Sequence, residues 1–409
     1  MPKITAIETA IPADIMPNLL LVRIHTDEGW IGCGETYYTP HAIEALIHDW
    51  MAERLLGADP LTIESHWRFL YERCTAFGYP GAELRALSAL DVALWDILGQ
   101  ASGQPIHQLL GGAVRERIPV YNTCGGPSYG ANADASPNAT PAHPGWPGYG
   151  DIGQPGPLQD NWSSLNAAGD LAEELVAEGY PAMKVWPFDR FAHQNGGLRI
   201  SWAEIEEGMK PLREIRDRVG MKIEIAIEGH GFFHLPAARR IAEALREIKP
   251  IWLEDLVRVD NVDTLADFRR HAGLPVSVSE MLLGRREILP VLQAQAADYV
   301  MIDPTWSGGI SESRRMIDLA QTFNVPVTIH DCTGPITLFA GMHLAAASTN
   351  VVFQETVRAH IRSFYDRLID TQPEVANGTA ALPQGPGLGT RLLDDLFQPG
   401  QRAYRRTDR

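Results

Sequence analysis

Three glutamates recur at an interval that invites a metal ion. Glu228, Glu254 and Glu280 lie 26 residues apart each time, and each closes a short β-rich run: IEIAIE, IWLE and VSVSE. One interval is the length of one βα unit, so the spacing predicts three carboxylates at equal height on adjacent parallel strands. Left to themselves, such groups repel and raise one another's pKa. A hard divalent cation removes the repulsion, and an all-oxygen donor set suits Mg²⁺. A single glutamate there would read as a solvated loop residue or a salt-bridge partner; the recurrence is what points to a metal.

A second group ends the following runs. Asp303 closes YVMID, His330 closes VTIH and Glu355 closes VVFQE. A carboxylate beside an imidazole orients the ring and raises its basicity, which predicts an Asp303–His330 general base. One strand before Glu228, Lys184 and Trp186 alternate on one face of AMKVW. Lys184 could neutralise a substrate carboxylate, act as a base, or pair with the glutamates. Strand alternation sends Ile223, Ile225 and Ile227 to one side and Glu228 and His230 to the other. The same parity puts Trp252 and Glu254 inside, and Val276, Val278 and Glu280 as well, with Ser277 and Ser279 facing out.

The elements that must position these groups follow from periodicity. Residues 1 to 40 read as strands, with LLLVRIH and WIGCGE joined through a D-E-G turn. In LRALSALDVALWDILGQ, Leu87, Leu90, Leu94, Ile97 and Leu98 fall on one helical face. Strands followed by helices predict an α+β unit. From Val120 onward, eight short β-rich runs alternate with helical stretches. That pattern predicts a parallel sheet of the size of a closed barrel, with chemistry at the C-terminal ends of its strands. An open doubly wound sheet is the alternative, but no G-x-G-x-x-G fingerprint follows the first strand. Residues 125 to 160 break the pattern, since 15 of those 36 are Gly or Pro. They read as a lid or a plain excursion, with Trp146 and Tyr149 either closing over a ligand or packing on the surface.

Composition narrows the function. The 409 residues carry 51 Asp and Glu against 35 Lys and Arg, a net charge of −16, which disfavours nucleic acid and anionic membranes as partners. No apolar run reaches the ~18 residues of a membrane span. The four cysteines form no C-x-x-C pair, and the chain's start lacks the plan of a signal peptide, so a cytoplasmic location is expected. The G-x-S-x-G match at Gly126–Gly130 is not followed by a helical pattern, so it does not read as a hydrolase elbow.

With these residues in view, the chain resembles the enolase superfamily, and within it the mandelate racemase-like, galactonate dehydratase-like sugar-acid dehydratases. The resemblance rests on ALDVALWDILGQASGQPIHQLLGG, LEDL, VSEM, IDPTWSGGISE, IHDCTGP, FQETV and LPQGPGLG, and covers nearly the whole chain. It implies an α+β capping domain over residues 1–118 and a modified TIM barrel, (β/α)7β, over 119–356. Residues 357–409 would return to the capping domain. It also implies Mg²⁺ on Glu228, Glu254 and Glu280, and abstraction of the proton α to a carboxylate by His330 with Asp303. Lys184, Trp186, Glu355 and Trp306 would touch the substrate, with Lys184 and Glu355 also counted as catalytic. The pair Glu228–His230 is similar to an Asp-x-His in galactonate dehydratase-like members, which implies that His230 protonates the departing hydroxyl. Where family members with a second-strand base carry K-x-K, this chain has Lys184-Val-Trp186, which removes one base of a two-base racemase. The implied activity is dehydration of a sugar acid to a 2-keto-3-deoxy acid by a homo-oligomer. A racemase, epimerase or cycloisomerase sharing the enolate, or a non-catalytic metabolite-binding relative, is the alternative. Specificity would come from the segments 11–18, 74–82 and 125–160.

Overall fold

A computed structural model of the protein describes residues 1–78, 80–130, 153–400 and 403–409. Trp146 and Tyr149 lie outside the described residues.

The first three strands, β1 (Ile4–Ile11), β2 (Leu19–Thr26) and β3 (Ile31–Tyr37), form an antiparallel meander. The last strand of the chain, Ala403–Asp408, pairs antiparallel with β1 and completes this sheet. The helix Ala82–Ser102 lies across it, buried along most of its length. Gly32 and Gly34 allow the close approach: a Cβ on either would meet the carbonyl oxygen of Ala93 or Ala89 at 2.0 Å. The apolar face read from Leu87 to Leu98 is the face that packs.

Eight parallel strands follow: β4 (Arg117–Thr123), β5 (Ala182–Val185), β6 (Glu224–Glu228), β7 (Trp252–Glu254), β8 (Val276–Val278), β9 (Tyr299–Ile302), β10 (Val327–Ile329) and β11 (Val351–Thr356). Each pairs with the next, and β11 returns to pair with β4, so the barrel is closed. Helices lie on each connection, from Ala168–Ala177 before β5 to Pro335–Ala347 before β11. Beneath the mouth the interior is filled by Tyr121, Ala182, Ala226, Trp252 and Met301, with Tyr299 and Phe353 packed against them. This apolar layer is the floor on which the charged residues stand.

One strand corrects the sequence reading. Ser277, not Val276 or Val278, is the register partner of Glu254 on one side and Tyr299 on the other, so Ser277 faces inward. Val276 and Val278 join the core between barrel and helices. The reason is volume. Trp252 on β7 and Tyr299 on β9 meet at 5.4 Å across the intervening strand, which leaves room for a serine between them and not for a valine.

The capping domain docks directly on the mouth. Thr36 Oγ1 donates to Thr305 O at 2.8 Å, Trp67 Nε1 to Gly308 O at 2.7 Å, and Thr337 N to Glu35 Oε1 at 2.7 Å. All three barrel partners lie in segments that follow β9 and β10, the strands carrying Asp303 and His330. The decoy segment Gly126–Gly130 is a turn after β4, and Gly130 O accepts from Asn18 Nδ2 and Tyr37 Oη.

Candidate active site

The registers bring the inward residues into one ring. Thr123 pairs with Lys184, Lys184 with Ala226, and Glu228 with Glu254, while Tyr121 pairs with Glu355 on the closing side. Lys184 Nζ sits among three carboxylates: 2.7 Å from Glu254 Oε1, 2.9 Å from Glu355 Oε1 and 3.4 Å from Glu228 Oε2. All four groups are buried. Burial would neutralise the lysine, but Glu254, Glu355 and Glu228 hold it protonated and raise its pKa well above the usual value. Of the roles the sequence left open for Lys184, the geometry is that of the ion pair. Glu254 is pushed up, by burial and by Glu228 beside it. Its other oxygen accepts from Trp252 Nε1 at 2.9 Å.

Glu355 is an ionised acceptor. Thr123 Oγ1 donates to one oxygen and Asp331 N to the other at 3.0 Å. Burial works against its charge, but Lys184, His330 and Thr123 outweigh it and lower its pKa.

Two histidine–carboxylate pairs flank this cluster. His330 Nδ1 lies 2.8 Å from Asp303 Oδ2, and both residues are buried. Asp303 is itself oriented, its other oxygen accepting from Thr305 N at 2.7 Å and Thr305 Oγ1 at 2.8 Å. Burial would lower the imidazole, yet the surrounding anions, Glu280, Glu355 and Asp303 among them, raise it well above its ordinary value. His330 Nε2 is left for chemistry, 3.5 Å from Cys332 Sγ and 3.9 Å from Glu355 Oε2.

His230 follows β6 in a left-handed backbone conformation, φ 46°, with its N–H on Glu228 Oε1 at 2.7 Å. Its Nδ1 is 2.5 Å from Asp189 Oδ2, and Asp189 is fully buried. Burial opposes the imidazolium, but Glu228 and Asp189 overcome it and raise the pKa to about 9. Its Nε2 lies 3.4 Å from Tyr129 Oη, and Tyr129 packs on Trp186 with ring centroids 5.2 Å apart. His230 follows β6 and His330 follows β10, four strands apart in a ring of eight, so the two imidazoles stand on opposite sides of the mouth.

Family models match both parts of the chain: the mandelate racemase/muconate lactonizing enzyme N-terminal domain over residues 2–111, and the enolase C-terminal domain-like family over residues 167–396. The chain belongs to the enolase superfamily. A D-galactonate dehydratase family member of Streptomyces bingchenggensis is 30% identical over 349 residues, 83% of this chain and 79% of its own length. An arabinonate dehydratase of Saccharolobus solfataricus is 26% identical over 385 residues, 93% of this chain and 90% of its own. A solved enolase protein from Sargasso Sea environmental sequence superposes with a TM-score of 0.86 at 38% identity, covering 100% of both chains.

Enolase-superfamily members generally use Mg²⁺, and the donor chemistry here fits such an ion. Among the described residues no three His, Cys, Asp or Glu are already gathered as a metal shell. Instead Lys184 offsets Glu228 and Glu254, and negative charge remains in excess. Glu280 Oε2 and Asp255 Oδ1 are buried with no hydrogen-bond partner among the described residues. Burial, with Glu280 and Glu228 close by, drives the Asp255 carboxyl well above its usual range. Unpartnered buried carboxylate oxygens next to like charges are what a hard cation satisfies. The expected equal height of the three glutamates holds for Glu228 and Glu254 only. Since Ser277 is opposite Glu254, Glu280 stands past the end of β8, in the turn that follows it.

Sequence reasoning missed Asp189, Asp255 and Tyr129. Asp189 follows Pro187, which ends the strand alternation, so parity could not be counted through to it. Asp255 adjoins Glu254 and would point away on a continuing strand; a backbone φ of 44° turns the chain there. The one available signal for Tyr129 was its place just after the first barrel strand.

Proposed function

We propose that this protein is a Mg²⁺-dependent dehydratase of a sugar acid. It would remove the proton α to the carboxylate and eliminate the β-hydroxyl to give a 2-keto-3-deoxy acid. The observation that carries the reading is the pair of opposed histidines, each with its own buried carboxylate, on either side of one charged cluster. Elimination of water needs a base at C2 and an acid at C3. The relatives named for galactonate and arabinonate support the substrate class.

His330 Nε2 takes the α-proton with the ring in its neutral form, which a cation offsetting Glu280 would favour; Asp303 holds Nδ1 and fixes the tautomer. Asp303 also stabilises the imidazolium that results. Lys184 keeps a permanent positive charge beside the carboxylates and lowers the cost of bringing in an anionic substrate. Mg²⁺ held by Glu228, Glu254 and Glu280 would supply electrostatic stabilisation of the second negative charge that builds on the substrate carboxylate. His230 Nε2 then gives its proton to the departing hydroxyl, with Asp189 holding Nδ1. Trp186 and Tyr129 wall that side of the site and keep water from it. The enol formed by loss of water tautomerises to the keto acid.

A library of acid sugars incubated with enzyme and Mg²⁺, assayed for 2-keto acid, tests this. The expected result is keto acid from at least one member, abolished by EDTA. Exchange or epimerisation at C2 with no keto acid from any member would replace the dehydratase with an isomerase. Neither reaction across the library would remove the enzymatic reading.

A further inference from the structure

One cation near the site stands in no ion pair among the described residues, although Asp303 and Glu280 lie near enough to act on it. Arg85, in the first turns of the capping helix Ala82–Ser102, makes no ion pair among the described residues, and its one hydrogen bond there runs from Nη1 to Tyr37 O at 2.9 Å. Its guanidinium stacks 3.8 Å from the ring of Trp306 and lies 5.7 Å from that of Tyr38. Trp306 is in turn 5.1 Å from the His330 ring, so Arg85 is one indole away from the base. Trp306 is 1% exposed, yet its Nε1 has no acceptor among the described residues. Tyr38 is held against Trp306 at φ 63°, a backbone conformation that a tyrosine rarely adopts, and such strain collects at functional sites.

Arg85 and the Trp306 indole share one property: both are donor-only. A hydroxyl of a polyol chain can accept from such a surface but brings an O–H donor that finds no acceptor there. An anionic group is all acceptor, and the planar guanidinium fork takes a carboxylate by two parallel bonds. The position also fits: Arg85 comes from the capping helix and reaches, through Trp306, the side of the mouth that holds His330. We infer that Arg85 and Trp306 form a subsite for a second anionic group at the far end of the substrate, so that the preferred sugar acid is dianionic, most simply a dicarboxylic one. The inference rests on the dehydratase reading for its reaction, and it differs from the monoacids for which the relatives are named.

The test uses stereochemically matched sets: a hexonic acid, the corresponding hexaric acid and the 6-phosphohexonic acid, with Mg²⁺ and a 2-keto acid readout. A member with a second anionic group should exceed the monoacid in kcat/KM by about 10-fold or more, the worth of charge-assisted hydrogen bonds. Preference for the hexaric acid identifies a carboxylate, and preference for the phosphate a phosphoryl group. In Arg85→Met that ratio should collapse toward one, and Trp306→Phe, which keeps the ring and loses the N–H, should reduce it by less. A wild type that prefers the monoacid, or an Arg85→Met variant that keeps the ratio, overturns the inference and leaves the dehydratase standing. If no member loses water, the shift in Tm on adding hexarate against hexonate still decides the subsite. A larger shift with hexarate that Arg85→Met abolishes supports it, and equal shifts refute it.

Discussion

The two histidine–carboxylate pairs reach the same geometry by different routes. His330 and Asp303 both cap regular strands, on neighbouring β10 and β9, and the ladder that pairs Ile329 with Ile302 sets their contact. His230 and Asp189 both lie off the strands. One sits in a left-handed turn anchored on Glu228 and the other in a short helix after Pro187. The first pair is a product of barrel architecture and the second of two local departures from it. A base pinned by the sheet and an acid carried on loops suit two steps that need not occur together: proton removal fixes the reaction class, and acid help decides its outcome.

If the comparison holds, damage to the first pair should stop all chemistry, and damage to the second should stop only loss of water. The largest effect is expected from His330→Asn. Both α-proton exchange and keto acid formation should fall by a factor on the order of 10⁵ or more, as when a general base acting within a unit is removed; kinetics of both reactions check this. Glu254→Gln should rank beside it, abolishing turnover. Thermal melts should show Mg²⁺ raising the Tm of the wild type and not of the variant, since binding to the folded state alone stabilises it. Asp303→Asn should cost about 10⁴ in kcat, because the imidazole loses the partner that fixes its tautomer and stabilises its charged form. The smallest effect belongs to Asp189→Asn. It should lose only part of the ~10²–10⁴ that general acid help is worth, and should leave exchange close to wild type. Equal losses of exchange and dehydration in Asp189→Asn would dissolve the distinction between the two pairs.

The same contrast explains what the sequence made legible. Period-2 alternation carried Glu228, Glu254, Asp303, His330 and Glu355 to their places because each ends a strand whose parity is unbroken. It failed on β8, where three residues give too short a pattern and the flanking Trp252 and Tyr299 decide which side is inward. It could not see Asp189, because a proline stops the count. It placed the capping helix from the apolar face at Leu87 to Leu98 but said nothing of Arg85, whose meaning depends on Trp306 from a strand end more than two hundred residues away. Closure of the barrel through β11 and β4 was legible as a size and not as a register.

The most direct test of the whole account is the His230→Asn variant, assayed in D₂O for both reactions with Mg²⁺ binding verified. The account predicts that the substrate's α-proton still exchanges at a rate near that of the wild type, since His330, Asp303 and Lys184 are untouched, while keto acid formation drops by about 10²-fold or more. Parallel loss of exchange and dehydration, with fold and metal binding intact, would contradict it.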